Sequence, residues 1–210
     1  MNYLKTLLEL HGLRKNCRLT AEKLRALQEK KLRKLLHHAW EYSAYYRRSF
    51  KEAGISEEEL DTLPLSCFPS IDKEILLTHF DELITISGAS QKELREFDEK
   101  TKADRRPYQG KYHIVHSSGS TGTPGYFLYD EAAWSSMLLG IIRGALWDMT
   151  MPQILKLLAG KPRIVYIAAT DGRYGGAMAV GDGIDGVGAE QMYLDIKTPL
   201  EDWVKRLKRF

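Results

Sequence analysis

Two short strand-forming stretches, Tyr112-His113-Ile114-Val115 and Tyr126-Phe127-Leu128-Tyr129, enclose the run His116-Ser117-Ser118-Gly119-Ser120-Thr121-Gly122-Thr123-Pro124-Gly125. Runs of β-branched and aromatic residues this short, bounded by Gly, Ser, Thr and Pro, read as strands rather than helices. Asp130 then stands as the N-cap of a helix predicted from about Glu131 to Asp148. A chain ordered strand, hydroxyl-glycine loop, strand, helix cannot be an all-helical bundle, so this half of the molecule is expected to be α/β.

The loop has a chemistry of its own. Its hydroxyls rotate to donate to phosphate oxygen or to accept from a metal-bound water. Its glycines allow positive φ, so successive backbone N–H groups can curl into an anion-binding concavity. No Gly-Lys-Ser/Thr closes the run, which excludes the Walker pattern. Composition alone is equally that of an ordinary surface loop. The ordered string Ser-Ser-Gly-Ser-Thr-Gly-x-Pro between two strands is more specific, and the loop is expected to be exposed and glycine-kinked. His116, at the strand end, is either a general base or, more simply, a structural histidine.

The preceding half has a different period. From Thr20 to about Ala53, Leu24, Leu27, Leu32, Leu35, Leu36, Ala39, Tyr42, Tyr46 and Phe50 recur at near-helical spacing. One long helix is predicted, capped by Thr20 and ended by Gly54. A shorter helix from about Tyr3 is expected to stop near Gly12. An acidic helix opens at Ser56, another turn begins at Asp72, and a charged, exposed helix is expected over 90–99. Residues 1–50 hold twelve Lys/Arg and four Asp/Glu, in a chain whose net charge is +3. A basic arm of this kind could serve nucleic acid or an anionic membrane. Its cations alternate with leucines at helical spacing, which is the pattern of a solvated face, and no specific nucleic acid is expected as a partner.

Residues 1–100 are thus assigned to a helical region and 101–210 to an α/β portion. In the latter, Arg163–Ala169 reads as a buried parallel strand. Small residues spaced i, i+4 along the 131–148 helix suit close packing on a sheet. Thr170-Asp171-Gly172-Arg173-Tyr174-Gly175-Gly176 follows the strand where open α/β sheets place ligands. Tyr166, Asp171, Gly172, Arg173, Tyr174, Gly175 and Gly176 are therefore candidates for a pocket wall, with a plain turn as the alternative. Cys17 and Cys67 form no CxxC pair and read as reduced thiols in a cytoplasmic protein. No apolar run approaches the ~18 residues that cross a bilayer.

The loop resembles the phosphate-binding loop of the adenylate-forming enzymes, the superfamily of acyl-coenzyme A synthetases, peptide-synthetase adenylation domains and luciferases. The order Leu-Arg-Lys-Leu-Leu-His-His-Ala, Tyr-Tyr-Arg-Arg-Ser-Phe, Ala-Gly-Ile, a Leu-Pro segment and Asp72-Lys73-Glu74 is similar to the opening of phenylacetate–coenzyme A ligase-like and capsular-polysaccharide biosynthesis proteins. That subgroup lacks the lysine other members place after the loop proline, and here Gly125 and Tyr126 occupy those positions. The likeness runs from about Leu32 to the C-terminus.

The resemblance implies an N-terminal helical region followed by part of the family's large domain. It implies that Ser117, Ser118, Gly119, Ser120, Thr121, Gly122, Thr123, Pro124 and Gly125 hold the ATP phosphates, with Thr121 or Ser118 nearest a Mg2+ ion. It makes the glycine-rich 171–176 segment the acyl-side wall. It implies ATP and Mg2+, a small-molecule carboxylate substrate, and coenzyme A or another nucleophile as acceptor. The family's acidic magnesium motif, ribose-binding aspartate and catalytic lysine have no counterpart before Phe210. The chain is accordingly expected to be inactive and a poor ATP binder alone, and to self-associate through an uncovered edge. A non-catalytic scaffold retaining half of the fold, or a basic-arm nucleic-acid binder, are the alternatives.

Overall fold

A computed structural model describes residues 3–101, 106–117, 123–160, 163–169, 172–174, 178 and 190–210. The chain forms two compact units, one of Lys15–Glu96 and one of Met1–Arg14 with Phe97–Phe210.

The first unit is helical. Helix α1 (Tyr3–Asn16), nearly all of it in the other unit, runs through Gly12 rather than stopping there. The long helix expected over 20–53 is two, α2 (Ala21–Tyr42) and α3 (Ala44–Glu52). Ser43 divides them with extended backbone, φ −110° and ψ 118°. It closes α2 through its N–H to the Ala39 carbonyl, and its Oγ accepts from the Tyr46 N–H to begin α3. The hydrophobic period continues across the break, which is why the sequence reads as one helix. Gly54, at φ 77°, ends α3 in a left-handed turn in which Ile55 N–H reaches the Phe50 carbonyl at 2.9 Å.

Leu36, Trp40, Phe50, Ile55 and Leu60 form the core, with Leu32, Tyr46, Leu63 and Phe68 against it. The acidic segment after Ser56 is a 3-10 turn, Glu58–Asp61. Arg33 Nη1 clasps it, donating to the carbonyls of Leu60 and Leu63 at 2.7 and 2.8 Å. Asp72 caps α4 (Lys73–Thr78), accepting from Ile75 N–H at 2.8 Å; α5 (Phe80–Leu83) follows. Helix α6 (Gln91–Thr101) is not simply exposed as its charge suggested: Leu94 and Thr101 are buried. Both cysteines are exposed and outside any disulfide.

In the second unit β1 (His113–His116) pairs antiparallel with β2 (Tyr126–Tyr129), His113 opposite Tyr129 and His116 opposite Tyr126. Asp130 caps α7 (Glu131–Ala145) as expected, accepting from Ala133 N–H at 2.8 Å. Trp134 and Leu138 of α7 pack with Val115 and Met178. The small-residue face of α7 is not the packing face. A Cβ at Gly140 or Gly144 would meet nothing within 4 Å, because Trp134, Leu138 and Leu139 supply the buried side.

Helix α8 (Met151–Ala159) precedes β3 (Arg163–Ala168), which pairs in parallel with β4 (Glu190–Asp195). The parallel pairing agrees with expectation; the burial of β3 does not. None of its six residues is buried, and Ile167 is 48% exposed. The buried positions of this pair fall on β4, at Met192 and Leu194. Helix α9 (Leu200–Arg209) docks on β4 through Trp203 Nε1–H to the Asp195 carbonyl and Arg206 to the Tyr193 carbonyl. Among the described residues no helix is long and apolar enough to cross a membrane.

Candidate phosphate-binding loop and its anchorage

The β1–β2 hairpin brings the two ends of the hydroxyl-glycine loop together. Ser117 N–H donates to the Gly125 carbonyl at 2.9 Å, and Gly125 N–H donates to Ser117 Oγ at 2.9 Å. This two-bond neck alters the expectation of an exposed loop at its ends: Ser117, Thr123 and Pro124 are half-buried and Gly125 is buried. Ser118, Gly119, Ser120, Thr121 and Gly122 lie outside the described residues, as do Asp171, Gly175 and Gly176.

Below the neck lies a buried polar cluster that the sequence does not single out as a unit. Arg173 is 0% exposed. Its Nε stands 3.2 Å from Asp98 Oδ1, and its Nη2 donates to Thr101 Oγ1 at 2.7 Å and to the Arg106 carbonyl at 3.1 Å. The Phe97 ring lies across the guanidinium, 5.5 Å to its centroid. A buried guanidinium needs countercharge and hydrogen-bond acceptors: Asp98 supplies the charge, and Thr101 and the Arg106 carbonyl accept from Nη2.

The backbone of Arg173 meets His116 twice. His116 N–H donates to the Arg173 carbonyl at 3.0 Å, and Arg173 N–H donates to His116 Nε2 at 3.1 Å. A backbone N–H can only donate, so Nε2 is the acceptor and the ring proton sits on Nδ1. That proton goes to the Ser117 carbonyl at 2.9 Å. Asp98 Oδ2 lies 3.7 Å from Nε2, beside a lone pair, so the carboxylate is balanced by Arg173 rather than by the imidazole. With both nitrogens engaged, His116 serves structure rather than general-base chemistry.

Of the remaining candidate wall residues, Gly172 abuts the imidazole; a Cβ there would sit 3.0 Å from Nε2. Tyr174 stands edge-on to His116, 4.8 Å between centroids, and Tyr166 of β3 faces Tyr193 of β4 at 6.0 Å. Arg173 turns its guanidinium inward to Asp98 and Thr101. Among the described residues no group of three or more His, Cys, Asp or Glu gathers in a way that could hold a metal. The sequence marks His116 and Arg173 separately; Asp98 and Thr101 carry no local signal.

Among solved structures, the chain is similar to a 2-hydroxyisobutyryl-CoA ligase in complex with 2-HIB-AMP and CoA in the thioesterification state. The TM-score is 0.56 at 19% identity, over 90% of this chain and 36% of that one. The same ligase in the postadenylation state with 2-HIB-AMP gives a TM-score of 0.53 at 18% identity, with the same coverage. At this identity the likeness is one of fold: the mixed helical and sheet chain has the fold of part of an acyl-CoA ligase. It spans about a third of that ligase's length. No family model matches the chain, and no curated protein matches its sequence.

Proposed function

We propose that this chain forms the phosphate-holding part of an ATP-dependent, adenylate-forming ligase. The observation that carries the reading is the hydroxyl-glycine string on a hairpin whose ends are hydrogen-bonded shut, in a chain with part of an acyl-CoA ligase fold. Two hydrogen bonds close the neck at Ser117 and Gly125, and a string of amides and hydroxyls such as the one between them in sequence suits the β- and γ-phosphates of ATP. Thr121 or Ser118 is the residue assigned to Mg2+. Hydroxyl oxygen is a hard donor of the kind this ion takes alongside phosphate oxygens, and the ion's contribution when bound is to neutralise phosphate charge.

In the proposed reaction a carboxylate oxygen attacks the α-phosphorus, the bond to pyrophosphate breaks, and an acyl-adenylate forms. A thiol such as that of coenzyme A then attacks the acyl carbon and AMP leaves. The protein's share is positioning and charge stabilisation rather than covalent participation. The 172–174 segment, so close to the loop neck, is proposed as part of the acyl-side wall. The phenylacetate–coenzyme A ligase-like subgroup, supported by Gly125-Tyr126 after the loop proline, makes a small organic acid the substrate class.

The test is carboxylate-dependent ATP–pyrophosphate exchange by the protein carrying this sequence. Thr121→Val removes a phosphate- or metal-facing hydroxyl, and Gly122→Val blocks backbone approach. Each is expected to cost about 3–4 kcal/mol of transition-state stabilisation, a hundredfold or more in rate. Normal exchange in both variants would overturn the assignment.

A further inference from the structure

We propose that Asp98, Arg173 and His116 form a positioning relay that sets the geometry of the loop neck, with the His116 imidazole locked in the Nδ1–H tautomer as its last member. Its consequence for nucleotide binding rests on the loop reading above; the relay itself rests on the ion pair and the hydrogen bonds alone.

The chain of contacts is continuous. Asp98 and Thr101, both on α6, fix the Arg173 side chain. Holding that side chain holds the Arg173 backbone, whose N–H and carbonyl grip the ring and main chain of His116. The imidazole passes the constraint to the Ser117 carbonyl through Nδ1–H. Ser117 closes the neck with its own N–H and Oγ. Gly172 makes the approach sterically feasible, since any Cβ there would press on the ring. The two ring nitrogens therefore act separately, Nε2 holding the Arg173 segment and Nδ1–H holding the neck.

This division can be read with two substitutions. In His116→Asn the side-chain amide reaches the place of Nδ1 and can donate to the Ser117 carbonyl, but nothing replaces Nε2. In His116→Gln the amide reaches the place of Nε2 and can accept from Arg173 N–H, but the donor to Ser117 is lost. Amide hydrogen exchange measured by NMR should therefore cross over. Gly125 stays protected in His116→Asn and exchanges roughly tenfold faster in His116→Gln, while Arg173 shows the reverse, the loss of one hydrogen bond setting the scale. Imidazole 15N–1H correlations on the native protein, at a pH where the ring is neutral, should find the proton on Nδ1.

Parallel titrations with Mg·ATP and with inorganic pyrophosphate read the functional consequence. Affinity should fall roughly tenfold in His116→Gln and stay within about threefold of native in His116→Asn. A proton on Nε2, or equal loss of protection at both amides in both variants, would overturn the relay and leave His116 a space-filling ring. A crossed exchange pattern with unaltered affinities would overturn its positioning role at the phosphate site. If the native protein binds neither Mg·ATP nor pyrophosphate, the proposed function fails, while the exchange pattern still decides the relay.

Discussion

The unit of Lys15–Glu96 and the one that contains the loop both have an apolar core, and they differ in the buried ion pair that only the second adds among the described residues. In the first, Leu36, Trp40, Phe50, Ile55 and Leu60 meet in an aromatic-aliphatic cluster, with Trp40 and Phe50 stacked at 6.5 Å and Phe68 edge-on to Phe50 at 5.1 Å. In the second, Arg173 has no exposure at all and is held by a carboxylate, a hydroxyl and a carbonyl. An apolar cluster tolerates approximate geometry, since dispersion and area burial are non-directional. A buried ion pair does not, because its Coulombic gain offsets desolvation only when every partner is in place. The exacting set reaches the loop neck through His116 and Ser117.

Asp98→Asn against Leu60→Ala is the sharpest way to break that contrast. Asparagine keeps the shape of Asp98 but deprives the buried guanidinium of its countercharge, and breaking such a pair costs about 3–5 kcal/mol. The 13% exposure of the Asp98 side chain places the effect toward the lower end. Leu60→Ala in the other unit removes a fully buried side chain, at a cost of about 2–5 kcal/mol that depends on how far the core collapses. Denaturant unfolding followed by residue-resolved hydrogen exchange separates the two. Asp98→Asn should accelerate exchange at Ile114 and Val115, and Leu60→Ala at Trp40 and Phe50. A loss below about 1 kcal/mol in Asp98→Asn would show that the ion pair does not hold its unit together.

The same contrast explains which features the sequence reveals. The hairpin strands and the α7 cap are written locally: a four-residue β-forming run, or Asp130 three residues before the N–H it accepts from. The core of the helical unit follows from its period. Strand β4 escapes a reading of the sequence because its alternation rests on only two apolar residues, Met192 and Leu194, among polar neighbours. The small-residue face of α7 misleads because spacing gives a face without saying which face is buried. The relay is least legible. Arg173 meets His116 across 57 positions and Thr101 across 72, and Asp98 sits in a helix whose charges suggest solvent on every side. Neither Asp98 nor Thr101 differs from a surface residue until the chain is folded.

Ser43 carries a directional polar device into the apolar unit, and a smaller effect follows. Its side chain is buried; Oγ accepts from Tyr46 N–H at 3.3 Å and donates to the Glu82 carbonyl at 3.0 Å. Ser43→Ala removes the α3 cap and leaves the Glu82 carbonyl without that donor, together costing about 1–2 kcal/mol. Thermal unfolding monitored by circular dichroism checks it. Fusion of α2 and α3 into one straighter helix, with no loss of stability, would mean that Ser43 tolerates the break rather than causing it.

The smallest effect is expected at Glu82, where the helical unit carries an exposed ion pair to set against the buried one. Arg48 donates to Glu82 Oε2, and His79 Nδ1 lies 3.1 Å from Oε1. The Arg48 guanidinium first and the His79 bond second hold the Glu82 carboxyl below the ordinary glutamate range. A carboxyl whose pKa is lower folded than unfolded binds fewer protons in the native state. Its stabilisation is therefore full above the unfolded value of about 4.3 and fades as pH falls through the lower folded value. Solvent screens both partners, so Glu82→Gln should lower the unfolding midpoint only slightly at neutral pH. That gap should shrink as pH falls through the folded value. Measuring native protein and variant side by side across this range isolates the one carboxyl from all the others that titrate with it. A gap that survives at the acid end would assign the loss to side-chain packing instead of charge, and the exposed pair would then differ from Asp98–Arg173 in kind as well as in size.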